Sequence, residues 1–247
     1  GPLHIWEHIV MALSRRALLR HAPAGGLGLL LWGAVQHAQA LSLADLSGAD
    51  ASSGVKAALG RGAEAAVSLL GRTDGFLGNP QVRIGLPVQL EDAAKLLRKV
   101  GQGKRIDELV TSINRAAEAA VPLGKDILVQ AVQSISVTDA KNILTGGDTS
   151  VTEFFVTKTR APLSERFLPV VNKATENVGL TQKYNAFAGK AASFGLLKPE
   201  ESNLAGYVTG KTLDGLFFMI GEEERKIRQN PAGAGSAVLQ RVFGALR

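Results

Sequence analysis

Residues 200–230 read EESNLAGYVTGKTLDGLFFMIGEEERKIRQN, and the fold is decided on this stretch. At 100° per residue Leu213, Leu216, Phe217, Ile220 and Ile227 fall on one stripe, the mark of an amphipathic helix. Leu204, Tyr207 and Phe218 cluster on a second side, so a helix over about 200–229 has apolar residues on more than one face and is expected at the centre of its domain. Glu224 falls near the middle of the stripe, Glu223 at its edge, and Glu222 faces the other way. A carboxylate inside an apolar stripe is costly unless paired, so Glu224 requires a raised pKa or a basic partner such as Arg115 or Arg228. The competing expectation, and the one adopted, is that the stripe reaches solvent near the helix end. Residues 222–224 would then form a solvated charged turn with Arg225 and Lys226.

Outward from this helix the period stays helical, with no clear run of alternating β-branched residues. Helices are expected at about 53–70, 88–100, 105–134, 136–144, 152–178, 181–194 and 235–245. The third should be interrupted at Pro122 and the fifth near Pro162 or Pro169, because proline lacks the donor that a helix interior needs. Ser136-x-x-Asp139 resembles a capping box, Gly146-Gly147 a stop, Ser150-x-x-Glu153 the next cap, and Asn230-Pro231 the end of the long helix. The fold class is therefore all-α: a single multi-helix domain of about 8–10 helices over residues 53–247, with 41–52 as a flexible lead-in. One extended loop, about 71–87, is punctuated by glycine and proline; its Val82-Arg83-Ile84 has the composition of a short strand. Gly75-Phe76-Leu77-Gly78-Asn79-Pro80 within it is a turn-rich segment able to fold over a pocket. It lacks the Lys-Ser/Thr ending of a phosphate loop.

The start of the chain reads as an export signal. Residues 1–10 do not resemble a natural start and are taken as a cloning remnant or upstream translation. From Met11 a basic segment with the pair Arg15-Arg16, an apolar glycine-rich run over 24–35, and the small-x-small triplet Ala38-Gln39-Ala40 make a signal peptide over 11–40, cut after Ala40. The apolar run is about a dozen residues, against the roughly 20 a permanent span requires; an uncut anchor is the alternative. Paired arginines ahead of a weakly apolar stretch resemble the twin-arginine signal, with Leu18 where Phe is usual and Arg20 where Lys is usual. That route is favoured over general secretion. With no Cys at the cut, no lipid anchor is expected, and the mature product should be free in the periplasm.

Removing residues 1–40 removes all four histidines (His4, His8, His21, His37) and both tryptophans, and the chain has no cysteine. Histidine- or cysteine-based nucleophilic catalysis, zinc sites and disulfides are thereby excluded from the mature chain. Any metal held by side chains would be a hard cation on oxygen ligands; with no Asp-x-Asp-x-Asp-Gly loop, neither a metal nor a cofactor is expected. Over 41–247 there remain 25 Lys and Arg against 21 Asp and Glu, a net +4. The charges are interleaved and aromatics are sparse, so nucleic acid is not an expected partner.

Asn114 and Glu118, spaced i,i+4, sit at the edge of a stripe formed by Ile106, Val110, Ile113, Ala117 and Val121. Together with Arg115, Asp214 and Glu223 or Glu224 they are read as lining a cleft between helices for an unknown small ligand or envelope protein, without catalysis. Two alternatives stay open. In an envelope hydrolase Glu118 and Glu223 or Glu224 would oppose their carboxyls across about 5–10 Å of open cleft. A carrier of apolar molecules would need a dry tunnel between helices.

Several of these words, taken in order, resemble one family: Asp74-Gly75-Phe76-Leu77-Gly78-Asn79-Pro80, Leu86-Pro87, residues 114–122 (NRAAEAAVP), Asp139-Ala140 with Ile143-Leu144, Leu213-Asp214-Gly215-Leu216-Phe217, residues 222–224, Ile227-Arg228 and Asn230-Pro231. Over about 55–244 the chain looks like the domain of unknown function 4197 family. The resemblance implies an exported helical protein of Gram-negative bacteria, and implies no reaction, ligand or catalytic residue.

Overall fold

The computed structural model describes residues 48–147, 149–176 and 179–230, and for Phe187 the backbone alone. The helix expected at 235–245, and the signal peptide and cleavage site expected within 11–40, lie outside these. In chain order the helices are α1 (Gly48–Gly71), α2 (Val88–Lys99), α3 (Gly103–Ala120), a 3-10 turn (Val121–Gly124), α4 (Lys125–Gln133), α5 (Val137–Thr145), α6 (Ser150–Thr175), α7 (Gly179–Ser193), a second 3-10 turn (Pro199–Glu201) and α8 (Leu204–Gln229). No strand occurs among the described residues, so the all-α expectation holds. The first helix starts inside the stretch expected to be a flexible lead-in, five residues ahead of Ser53.

The helix read first is the centre of the molecule. α8 packs most extensively against α6 and α1, burying Leu213, Leu216, Phe217 and Ile220 on one side and Leu204, Ala205 and Val208 toward its start. α1 buries the small residues Ala58, Gly62, Ala63 and Ala66, and at Gly62 it comes close to the α8 backbone at Ile220 and Glu224. Residues of all the helices share one apolar core, with Phe76, Phe155, Phe167 and Tyr184 among its largest fully buried side chains.

Local signals explain most boundaries. Pro122 opens the 3-10 turn that divides α3 from α4, as expected. Ser136 Oγ accepts the Asp139 N–H while Asp139 accepts the Ser136 N–H, a complete capping box. Gly146 caps the other end of α5, and Gly147 follows at φ 83°, where a side chain would be strained.

Four expectations need correction. Ser150 is the first residue of α6 rather than its cap: Thr149 holds that position without a side-chain cap, and the Ser150 hydroxyl donates back to the Ile143 and Gly147 carbonyls. α6 runs unbroken through both Pro162 and Pro169. These lie seven residues apart on the exposed face, where the carbonyls each leaves unbonded one turn earlier reach water. The segment 200–229 is two elements. Asn203 is extended and its Oδ1 accepts the Gly206 N–H at 2.7 Å, starting α8 afresh after the 3-10 turn. Val82-Arg83-Ile84 forms no strand; its pairing partner is a side chain.

Candidate functional site

The loop over 72–87 is a run of tight turns, tied by Gly75 N–H to Arg72 O, Gly78 N–H to Asp74 O, and Val82 and Arg83 N–H to Asn79 O. Asp74 sits at φ 65°, a left-handed conformation that aspartate tolerates better than most residues. Phe76, Val82 and Ile84 point inward and are buried, while Arg83 between the latter two is exposed. The apolar anchors alone do not set the backbone; α3 does.

Asn114 is fully buried, and its amide pairs with both the N–H and the C=O of Ile84 at 2.8 Å each, as a neighbouring strand would. The second amide proton reaches Val110 O at 2.8 Å. Glu118, 4% exposed, accepts the N–H groups of Phe76 and Leu77 on Oε1, both at 3.1 Å, and Arg115 on Oε2 at 2.8 Å. Arg115 spans onward to Asp74 at 2.9 Å. Its hydrogen bonds to Glu118 first, and to Asp74 second, hold its guanidinium charged beyond the ordinary range. Three of the six residues read as a cleft lining are thus the clamp that shapes the loop.

The other three lie elsewhere. Glu223 pairs with Lys226 at 2.8 Å and packs beside Gly62 of α1. Glu224 is 2% exposed and ion-paired with Arg228, whose Nη2 also donates to Ile143 O on α5 at 3.2 Å. The solvated charged turn is therefore overturned at Glu224, which is buried against its partner of one turn later. Arg115, the other partner considered, is engaged on the loop. Glu222 and Glu223 do form exposed-side i,i+3 pairs, with Arg225 and Lys226. With Glu118 closed under the loop and Glu224 closed by Arg228, neither carboxylate is free to act as acid or base on a substrate.

Asp214 is the residue that reaches an opening. The loop, clamped from α3, stands over α8 and leaves a depression of about 460 Å³ lined by Arg83, Ile84, Tyr207, Lys211, Asp214 and Phe218, among others. Gly215 makes the close approach possible: a Cβ there would meet Phe76 at 2.9 Å and Val82 at 3.3 Å. Arg160 of α6 reaches Asp214 at 2.9 Å. Lys211 Nζ lies 5.8 Å from the centre of the Tyr207 ring. Burial, then the carboxylates of Glu201 and Glu91, push the Tyr207 hydroxyl above its usual pKa, so it stays a neutral donor. A smaller depression of about 310 Å³ lies on the loop's other side, between Arg72, Asn79 and Met219.

Arg83, Arg160, Tyr207 and Lys211 are not among the site residues read from the sequence, which placed Tyr207 on a second apolar side of the helix and Arg83 in an expected strand. A signal was available: Tyr207, Lys211, Asp214 and Phe218 recur at i, i+4, i+7 and i+11, one mixed polar and aromatic face of α8 away from its apolar stripe. Among the described residues, no group of three or more His, Cys, Asp or Glu is placed to hold a metal, and no helix is long and apolar enough to cross a membrane.

No curated protein and no solved structure is detectably similar to this chain. A family model does match, over residues 45–244, which is most of the chain and every segment described above. The chain belongs to the family described as protein of unknown function DUF4197.

Proposed function

We propose that this is an exported, non-enzymatic protein of the Gram-negative periplasm that binds a small ligand or an envelope partner in the depression between the 72–87 loop and α8. The observation that carries the reading is the clamp. Burying Asn114 and Glu118 to fix a loop without regular structure is costly, and what it secures is the wall of an opening. Rigid walls reduce the ordering cost of binding. The lining supplies groups of both kinds: Phe218 is 41% exposed, beside the polar ends of Tyr207, Lys211 and Arg83.

Export is supported by the basic, apolar and small-x-small segments over 11–40. Fractionation of expressing bacteria should find the chain, shortened to begin at Leu41, in the periplasm. Replacing Arg15 and Arg16 together by lysine should hold it in the cytoplasm through the twin-arginine route; unchanged export would assign general secretion. A full-length chain in the membrane pellet would overturn the periplasmic assignment. Binding is tested by native mass spectrometry of protein released gently from the periplasm. A retained mass lost on Lys211→Glu substitution supports the depression, whereas a retained mass indifferent to it places binding elsewhere.

A further inference from the structure

Charge, shape and chain direction in the depression specify the class of ligand. Val82 and Ile84 are buried and Arg83 between them is not, so a backbone held by Asn114 aims the Arg83 side chain outward from a fixed point. Lys211 rises from the facing helix into the same opening. Neither makes an ion pair among the described residues. The acid that lines the opening with them, Asp214, is already neutralised by Arg160. Glu91 and Glu201 act on Tyr207, and because Lys211 Nζ lies 5.8 Å from that ring they temper the field at the lysine as well, so Arg83 carries the larger share of the positive charge. The planar fork of an arginine and the point charge of a lysine lining one opening are both suited to an oxyanion. Phe218 presents an exposed apolar ring in the same opening, and the volume of about 460 Å³ falls within the range of small-ligand sites.

We infer that the depression takes a small organic anion, a phosphate monoester or carboxylate attached to a flat apolar group, with Arg83 and Lys211 on the oxyanion and Phe218 against the apolar part. The inference rests on the proposed role of the depression as the binding site, and adds the chemistry of what enters it.

The test is a titration of the isotope-labelled full chain with phenyl phosphate, followed by amide NMR shifts. Peaks of residues 82–85 and 207–218 should move together. The double reversal Arg83→Glu/Lys211→Glu should weaken binding at least about tenfold, the scale of a lost charge-assisted contact. Both side chains are exposed, so the variant should keep its helical circular dichroism; Arg83→Gln/Lys211→Gln serves the same end if it does not. Benzyl alcohol is the uncharged control. If it moves the same peaks with equal affinity and the charge variants bind phenyl phosphate unchanged, the depression binds but the anion assignment is overturned. If neither compound moves those peaks, both the assignment and the depression as a binding site are overturned. Vesicles of phosphatidylglycerol distinguish the source of the anion: co-sedimentation lost in the charge variants identifies a lipid headgroup, and binding of phenyl phosphate without co-sedimentation identifies a free anion.

Discussion

At Glu118 one carboxylate oxygen receives two backbone N–H groups of the loop and the other receives Arg115, so three partners depend on a single side chain. Glu118→Ala would leave the Phe76 N–H buried without an acceptor; a cost of about 2–4 kcal/mol is expected in urea unfolding. Glu118→Gln keeps an acceptor oxygen but loses the charge, and should cost about 1–2 kcal/mol. Equal losses from the two substitutions would mean that the charge, rather than the acceptor geometry, is what matters. Asn114→Ala removes the amide that pairs with Ile84 and should cost about 2–3 kcal/mol, with faster hydrogen exchange at the Ile84 amide. The i,i+4 pairing of Asn114 and Glu118 at a stripe edge was legible in the sequence as a polar feature facing inward. Its object was not. The partners are backbone groups 30 to 42 residues away, with no side-chain pattern to announce them. Glu224 fails differently: its position in the stripe and its partner Arg228 were both legible, but whether the helix end lay in solvent depended on where α5 packs.

Helices α5 and α6 show which local rules survive tertiary structure. The capping box at Ser136 was legible because both partners lie within four residues of each other. Ser136→Ala should cost about 1 kcal/mol. Asp139 is held below its ordinary pKa by the Ser136 backbone N–H and then the Ser136 hydroxyl. A carboxylate depressed in the folded state adds stability above its unfolded pKa of about 3.9, which is lost as pH falls through the lower folded value. Asp139→Asn should therefore destabilise at pH 6 by a few tenths of a kcal/mol, and the difference from the parent should shrink as pH falls below the unfolded value, as judged by paired urea curves. The prolines of α6 were read as a break because proline opposes helix in any local account. Their spacing of seven places both on the water side, a fact that becomes decisive only once the helix has a buried side. Proline remains a poorer helix residue than alanine even there, so Pro169→Ala should add about 1–3 kcal/mol of stability and raise the melting temperature. A lower melting temperature would mean that the proline shapes the helix to its neighbours.

Across the described residues, helical periodicity sufficed for the fold class because each helix buries apolar residues and, the 72–87 loop apart, the connections between helices are short. It did not reveal which helix faces stay open, since openings form where loops pass over helices, and the 72–87 loop was read from its turn residues alone. Composition carries a molecule-wide consequence of its own. From residue 41 onward there is no histidine and no cysteine, so in a chain cut after Ala40, as proposed, the only group with an ordinary pKa between about pH 5.5 and 8 would be the α-amino terminus. Stability varies with pH in proportion to the difference in bound protons between unfolded and folded chain. Because ordinary carboxylate and lysine pKa values lie outside this window, that difference is expected to be close to zero. The urea midpoint of the chain from residue 41 onward should therefore be flat from pH 5.5 to 8, falling only as carboxylates such as Asp139 begin to protonate. A slope of more than about 0.3 kcal/mol per pH unit in this window would require a carboxylate displaced into it by burial.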